Sequence, residues 1–223
     1  MAADLLATIE LETRPNPDAA VIWMHGLGAD GSDFVPLVDE LDLPGERGIR
    51  FVFPHAPMRP VSINGGAVMR AWYDIVGSDL TNRGDEAGIR DSQQRIEQLI
   101  AREKSRGIGA SRLLLAGFSQ GGVVALQTGL RHPERLAGIM ALSTYLALPQ
   151  ALATEAHAAN ADIPIFMAHG TGDSMIRPEW AETSRRALQA QGYPVEWHTY
   201  PMQHSVCIEE VRDIGVWLKR VLG

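Results

Sequence analysis

Cysteine is almost absent from this chain. Cys207 stands alone in 223 residues, which excludes an internal disulfide and a zinc site built on thiolates. A reducing compartment is the simplest setting, and a cytoplasmic location is expected. A basic excess is lacking as well: the net charge is −7, which disfavours nucleic acid or an anionic membrane as the main partner. No basic segment or apolar run precedes the acidic Glu10 and Glu12, so the start does not read as a signal peptide. The two long uncharged stretches, 113–130 and 136–154, are interrupted by glycines, Ser119 and two glutamines in one and by Pro149 in the other. Each reads as a buried strand plus the segment after it, so no stable membrane insertion is expected. A phosphate loop, a dinucleotide fingerprint and a metal-ligand cluster are all missing, and neither metal nor cofactor is expected.

What is present is an alternation of short apolar runs and helical patterns. Ala19–Met24, Ile49–Phe53, Leu113–Ala116, Leu136–Leu142, Ile163–Ala168 and Val195–Tyr200 read as strands, and Ala7–Glu12 as an edge strand. Most of the central runs are apolar on both faces, as strands of a parallel sheet covered on each side must be. Helical patterns occupy Glu86–Arg106, Gln120–Arg131, Pro178–Gln191 and the segment from about Val206. The order predicts a mostly parallel, doubly wound α/β sheet with helices on both faces, as one domain over residues 1–223. Only about twenty residues separate Leu142 from Ile163, too few for a cap domain. The stretch from Pro54 to Asp85 has no clear period; a loop of that length in a compact domain is usually functional.

Chemistry concentrates at Gly117-Phe118-Ser119-Gln120-Gly121-Gly122. The motif joins an apolar strand to an apolar helix, the context required of a nucleophile elbow, in which glycines let strand and helix pass closely and the serine projects above the sheet. A serine hydroxyl needs a base. Of seven histidines, His204 follows the last strand at the carboxyl edge of the sheet, where open α/β sheets bind ligands. His25 better suits shaping its loop, and His169 would compete with Asp173 for space. Asp173 follows another strand, and the order Ser119, Asp173, His204 is the nucleophile–acid–base order of α/β-hydrolases. The tetrahedral intermediate needs two N–H donors. Gln120, the residue after the nucleophile, offers one. The loop His25-Gly26-Leu27-Gly28 after an early strand suits the other, although a plain glycine turn would read the same way.

These pieces together resemble the carboxylesterase/lysophospholipase/acyl-protein thioesterase family of the α/β-hydrolase superfamily, in its bacterial carboxylesterase branch. The resemblance rests on His25 to Gly31, Phe53 to Pro57, Pro60 to Gly66, Trp72-Tyr73-Asp74-Ile75, the Ser119 elbow, His169-Gly170 with Asp173, and Tyr200 to His204, in order along nearly the whole chain. It implies Ser119, Asp173 and His204 as the triad, Leu27 and Gln120 as oxyanion donors, and the Pro60–Asp74 segment beside the acyl pocket. From the residues alone, Trp72 and Tyr73 serve equally well as core anchors of that segment. With no cap, the pocket walls are expected from loops: Leu27 and Phe34 on one side, Val68, Met69 and Trp72 on another, and Leu146, Met175 and Ile176 opposite. The expected reaction is hydrolysis of short- to medium-chain carboxylic esters through an acyl-enzyme on Ser119. Long-chain thioesters of protein cysteines or lysophospholipids are the alternative substrates, and a catalytically dead binding module is the alternative outside enzymes. The exposed apolar rim is expected to be covered in part by self-association as a homodimer.

Overall fold

The structure, a computed structural model, describes residues 5–43, 48–77 and 85–223. Seven strands form the main sheet: β1 (Thr8–Glu12), β2 (Ala19–Met24), β3 (Ile49–Pro54), β6 (Leu113–Phe118), β7 (Gly138–Leu142), β8 (Ile165–Gly170) and β9 (Val195–Tyr200). A hairpin of β4 (Met58–Val61) and β5 (Ala67–Arg70) stands apart from it. The sheet order is β1-β3-β2-β6-β7-β8-β9, parallel throughout except for β1, which runs antiparallel to β3. The helices are α1 (Glu86–Ser105), α2 (Gln120–Gly129), α3 (Pro149–Glu155), α4 (Pro178–Ala190) and α5 (Ile208–Leu222).

Period-two alternation divides the core into two layers. Along β2, Ala20, Ile22 and Met24 face one cluster, with Ile89, Ile96 and Leu99 of α1 and Val123 of α2; Ala19, Val21 and Trp23 face the other, with Ile214, Trp217 and Leu218 of α5. Both faces of the strand are buried, so each must be covered by helices. This is the α/β-hydrolase fold, and among the described residues no cap domain interrupts it.

Three local readings need correction. The stretch from Pro54 to Asp85 is not irregular throughout, since β4 and β5 pair from Met58↔Arg70 to Val61↔Ala67; residues 78–84 lie outside the described part. Pro60 inside β4 masked the pattern, and a hairpin outside the main sheet tolerates a proline that a central strand does not. The strand expected from Ile163 starts at Ile165, because Pro164 has no N–H for the ladder, and it runs on to Gly170, which pairs with Tyr200 of β9. Pro149 opens α3 at its first turn rather than breaking a run.

Candidate active site

Strand β6 delivers Ser119 at its carboxyl end, and α2 begins at the next residue. Ser119 adopts φ 55° and ψ −120°, a strained conformation for a non-glycine residue. The turn is held on all sides. The Ser119 N–H donates to Leu142 O at 2.9 Å, while its carbonyl accepts from Gly122 N at 3.0 Å and from Thr144 Oγ1 at 2.7 Å. A Cβ on Gly117 would collide with the backbone of Gly121, so strand and helix can cross this closely only with glycine there.

Ser119, Asp173 and His204, each following a different strand, meet above the carboxyl edge of the sheet. Ser119 Oγ lies 3.0 Å from His204 Nε2, and His204 Nδ1 lies 2.7 Å from Asp173 Oδ2. A carboxylate only accepts, so Nδ1 carries the proton and Nε2 is left to accept from the serine hydroxyl. The other carboxylate oxygen, Asp173 Oδ1, takes the amides of Met175 and Ile176, both at 2.9 Å. Burial pushes the Asp173 carboxyl up, but the bonds from His204 and the Ile176 amide, with the nearby His169, outweigh it and hold the group below the ordinary carboxylate range. Phe118 packs against the imidazole with ring centroids 4.7 Å apart.

Two other histidines flank this chain. His169 is buried, bonds Ile176 O through Nε2 at 2.8 Å and approaches Asp173 Oδ2 to 3.4 Å; burial lowers its pKa, which favours the neutral ring. His25 accepts the Ala56 amide on Nε2 at 3.1 Å and turns Nδ1 to Gly26 O at 2.6 Å. Burial drives its pKa down to about 4, so it stays neutral and shapes the loop after β2. In that loop the Gly28 amide is committed to Arg70 O at 2.9 Å and the Ala29 amide to Gly26 O at 3.4 Å, and Leu27 lines the cleft beside Ser119.

The hydroxyl of Ser119 opens into a cavity of about 400 Å³, within the range of small-molecule sites. Leu27, Met69, Met175 and Ile176, four of the walls expected from the sequence, line it together with Gln120. Phe34, Val68, Trp72 and Leu146 do not. Phe34 stacks on Trp23 at 5.1 Å in the layer beneath the sheet. Val68 neighbours Met69 on β5, so alternation turns it outward, where it is 62% exposed. Trp72 is fully buried and donates from Nε1 to His25 O at 2.8 Å, a core anchor rather than a wall. Leu146 is buried, its amide bonded to Ser184 Oγ at 2.8 Å. The walls not named from sequence include Ile63, Asn64, Tyr73, Ile75, Phe118 and Tyr145. Tyr73 and Tyr145 meet there with hydroxyls 3.1 Å apart. No sequence signal marked Tyr73 as a wall: it lies in a bend after β5 and belongs to the same core cluster as Trp72.

A sequence model described as phospholipase/carboxylesterase matches residues 7–222. The chain is 38% identical over 216 residues to acyl-protein thioesterase 1 of Yarrowia lipolytica, covering 95% of each protein. It is 40% identical over 209 residues to acyl-protein thioesterase 1 of Neurospora crassa, covering 90% of this chain and 85% of that one. Among solved structures it resembles Arabidopsis thaliana SOBER1, with a TM-score of 0.86, 28% identity, and 92% of this chain and 99% of that one covered.

Proposed function

The chain belongs to the phospholipase/carboxylesterase family and is an ester hydrolase, and from that premise we propose that it removes fatty acyl groups from protein cysteines as an acyl-protein thioesterase. The hydrogen-bonded chain Ser119–His204–Asp173, opening on a mainly apolar cavity, carries the reading. The relatives named thioesterases, at 38% and 40% identity over nearly full length, favour that substrate class over simple esters.

The proposed mechanism rests on the geometry. Ser119 Oγ attacks the acyl carbonyl carbon while its proton passes to His204 Nε2, and Asp173 holds the imidazolium through Nδ1–H. The carbonyl π pair moves onto oxygen, where the backbone amides of Leu27 and Gln120 receive it. His204 then returns the proton to the departing thiol or alcohol. Water, deprotonated by the same histidine, releases the acid from Ser119.

A second reading is the short- to medium-chain carboxylesterase expected from sequence, with the bacterial branch that goes with it. The cavity favours it in one respect: about 400 Å³ lies toward the small end of ligand sites. A lysophospholipid would use the same machinery. A cytoplasmic location belongs to either reading, and no helix among the described residues is long and apolar enough to cross a membrane. A homodimer is also proposed, supported by exposed apolar side chains near the cavity, Met58, Ile63, Val68 and Val76.

The test uses one cysteine peptide carrying acyl groups from acetyl to palmitoyl, with kcat/KM measured for each. A rise through to palmitoyl supports the thioesterase. A maximum near butyryl or hexanoyl moves the second reading to first place. Fluorophosphonate labelling, lost in Ser119→Ala, checks the nucleophile independently of substrate.

A further inference from the structure

The side chain of Gln120 is buried beside the nucleophile, 3% exposed, and takes no part in the proposed catalytic steps, which use only its backbone amide. Its Oε1 accepts the Trp72 amide at 3.1 Å and its Nε2 donates to the Tyr73 carbonyl at 2.9 Å. The two bonds need one acceptor and one donor on the same planar group, which a glutamine supplies and an ionised glutamate, a methionine or a leucine does not. The partners fix the amide's orientation, since a backbone N–H can only donate and a carbonyl can only accept.

The segment so held grips the loop after β2 at two points. The Arg70 carbonyl accepts the Gly28 amide at 2.9 Å, and Trp72 Nε1 donates to the His25 carbonyl at 2.8 Å. These contacts bracket Leu27 on both sides. A chain of direct hydrogen bonds therefore runs from residue 120, which bears one proposed oxyanion donor, through Arg70–Tyr73 to the loop that bears the other.

We propose that the Gln120 side chain is a positioning residue for the oxyanion hole: by clamping the Arg70–Tyr73 segment to the nucleophile elbow it fixes the separation of the Leu27 and Gln120 amides. The proposal rests on the reading of Ser119 as nucleophile and of those amides as donors. Donors set in place before the reaction stabilise the transition state without reorganising, and a misplacement of about 1 Å costs on the order of a hundredfold.

The experiment uses the full chain with Gln120→Met, which removes both side-chain bonds and keeps the backbone donor. Two quantities are read: kcat and KM on an aryl octanoate, and affinity for an alkyl trifluoromethyl ketone. The ketone reports the oxyanion hole directly. Ser119 Oγ bonds to its carbonyl carbon, the π pair moves onto oxygen, and the serine proton goes to His204. Gln120→Met should lower kcat by about 10- to 100-fold, weaken the ketone by a similar factor and leave KM within about threefold. Trp72→Phe, which removes the Nε1 bond to His25 and keeps the backbone amide that Gln120 accepts, should give a smaller loss of the same kind. The two losses should fall short of multiplying in the double variant, because both act through one connection. A raised KM with kcat and ketone affinity unchanged would overturn the proposal, and so would losses that multiply. If Gln120→Met fails to fold, Trp72→Phe decides by the same split between kcat and KM. Ser119→Ala separates the two levels: if it binds the ketone as tightly as the parent, the nucleophile reading itself falls, whereas loss of binding there with an unaffected Gln120→Met removes only the role of the side chain.

Discussion

Asp173 and His204 are joined by a 2.7 Å hydrogen bond between Oδ2 and Nδ1, and the second oxygen of the same carboxylate is tied down by two backbone amides at 2.9 Å. The carboxylate can neither rotate nor take a proton easily, so it dictates which imidazole nitrogen is protonated. A base fixed in this way presents its free lone pair to Ser119 at 3.0 Å.

The first prediction comes from that coupling. Ser119→Ala and His204→Ala should each lower kcat by about 10³–10⁶-fold, and the double variant should be little worse, because the residues act as a unit. Asp173→Asn should cost on the order of 10⁴-fold, since the amide permits the wrong tautomer. Asp162 is the control: it pairs with Arg135 and its side chain is 84% exposed, so Asp162→Asn should leave kcat near that of the parent. Loss of turnover in Asp162→Asn with full turnover in Asp173→Asn would reverse the assignment of the acid.

The second prediction separates a backbone donor from its side chain. Leu27→Pro deletes the backbone amide proposed as a donor, and one lost oxyanion donor costs on the order of 10²–10³ in kcat. Leu27→Ala keeps the amide and trims the cavity wall, so it should change acyl preference with kcat nearly intact. Circular dichroism must show both variants folded. Equal small effects from the two would reject Leu27 as a donor.

How much of this could be read in the chain depends on which residues local rules constrain. The elbow was legible because its glycines, its strand and its helix are contiguous, and His204 and Asp173 because each lies in a loop following a strand, in the order the fold requires. The hairpin Met58–Arg70 was not, since it lies outside the main sheet and lacks the period that burial imposes on a core strand. The cavity walls were misjudged for the same reason. Val68 and Met69 are both apolar neighbours in sequence, and only the register of β5 decides which one turns inward. Phe34 and Trp72 are large and sit near the right loops, yet stacking on Trp23 claims one and the carbonyl of His25 claims the other.

The third prediction concerns stability rather than turnover. Glu210 in α5 is fully buried, and neither of its oxygens makes a hydrogen bond of normal geometry. Burial pushes its carboxyl from 4.5 up to about 8, opposed by the nearby Cys207 amide and reinforced by the Asp213 carboxylate. Cys207 and Tyr200 face the same cluster, and both are also pushed up. Between these two pH values the folded state holds a proton that the unfolded chain has released, so stability falls as pH rises, by up to about 1.4 kcal/mol per unit. Glu210→Gln removes the titration. Its melting temperature should gain on the parent steadily from pH 5 to pH 8, with scanning calorimetry as the measure. A constant difference across that range would mean that Glu210 does not hold a proton in the folded protein.

The last prediction locates the acyl chain. Tyr73 and Tyr145 close the buried part of the cavity, 1% and 6% exposed, whereas Ile63 and Met175 stand at its mouth, 45% and 64% exposed. A short acyl group attached to Ser119 is expected to stop short of that mouth. A long one must lie along it, and every methylene it covers there contributes up to ~0.8 kcal/mol, about fourfold in kcat/KM. Ile63→Ser and Met175→Ser should therefore leave acetyl and butyryl substrates unchanged. For decanoyl and longer chains each should lower kcat/KM by about threefold to tenfold, because one or two methylenes lose their apolar partner. Both side chains are largely solvent-exposed, so neither change should disturb folding, and a loss of kcat/KM that depends on acyl length points to substrate contact. A loss of equal size for acetyl and palmitoyl would instead place the long chain elsewhere and leave the two residues as part of the general surface.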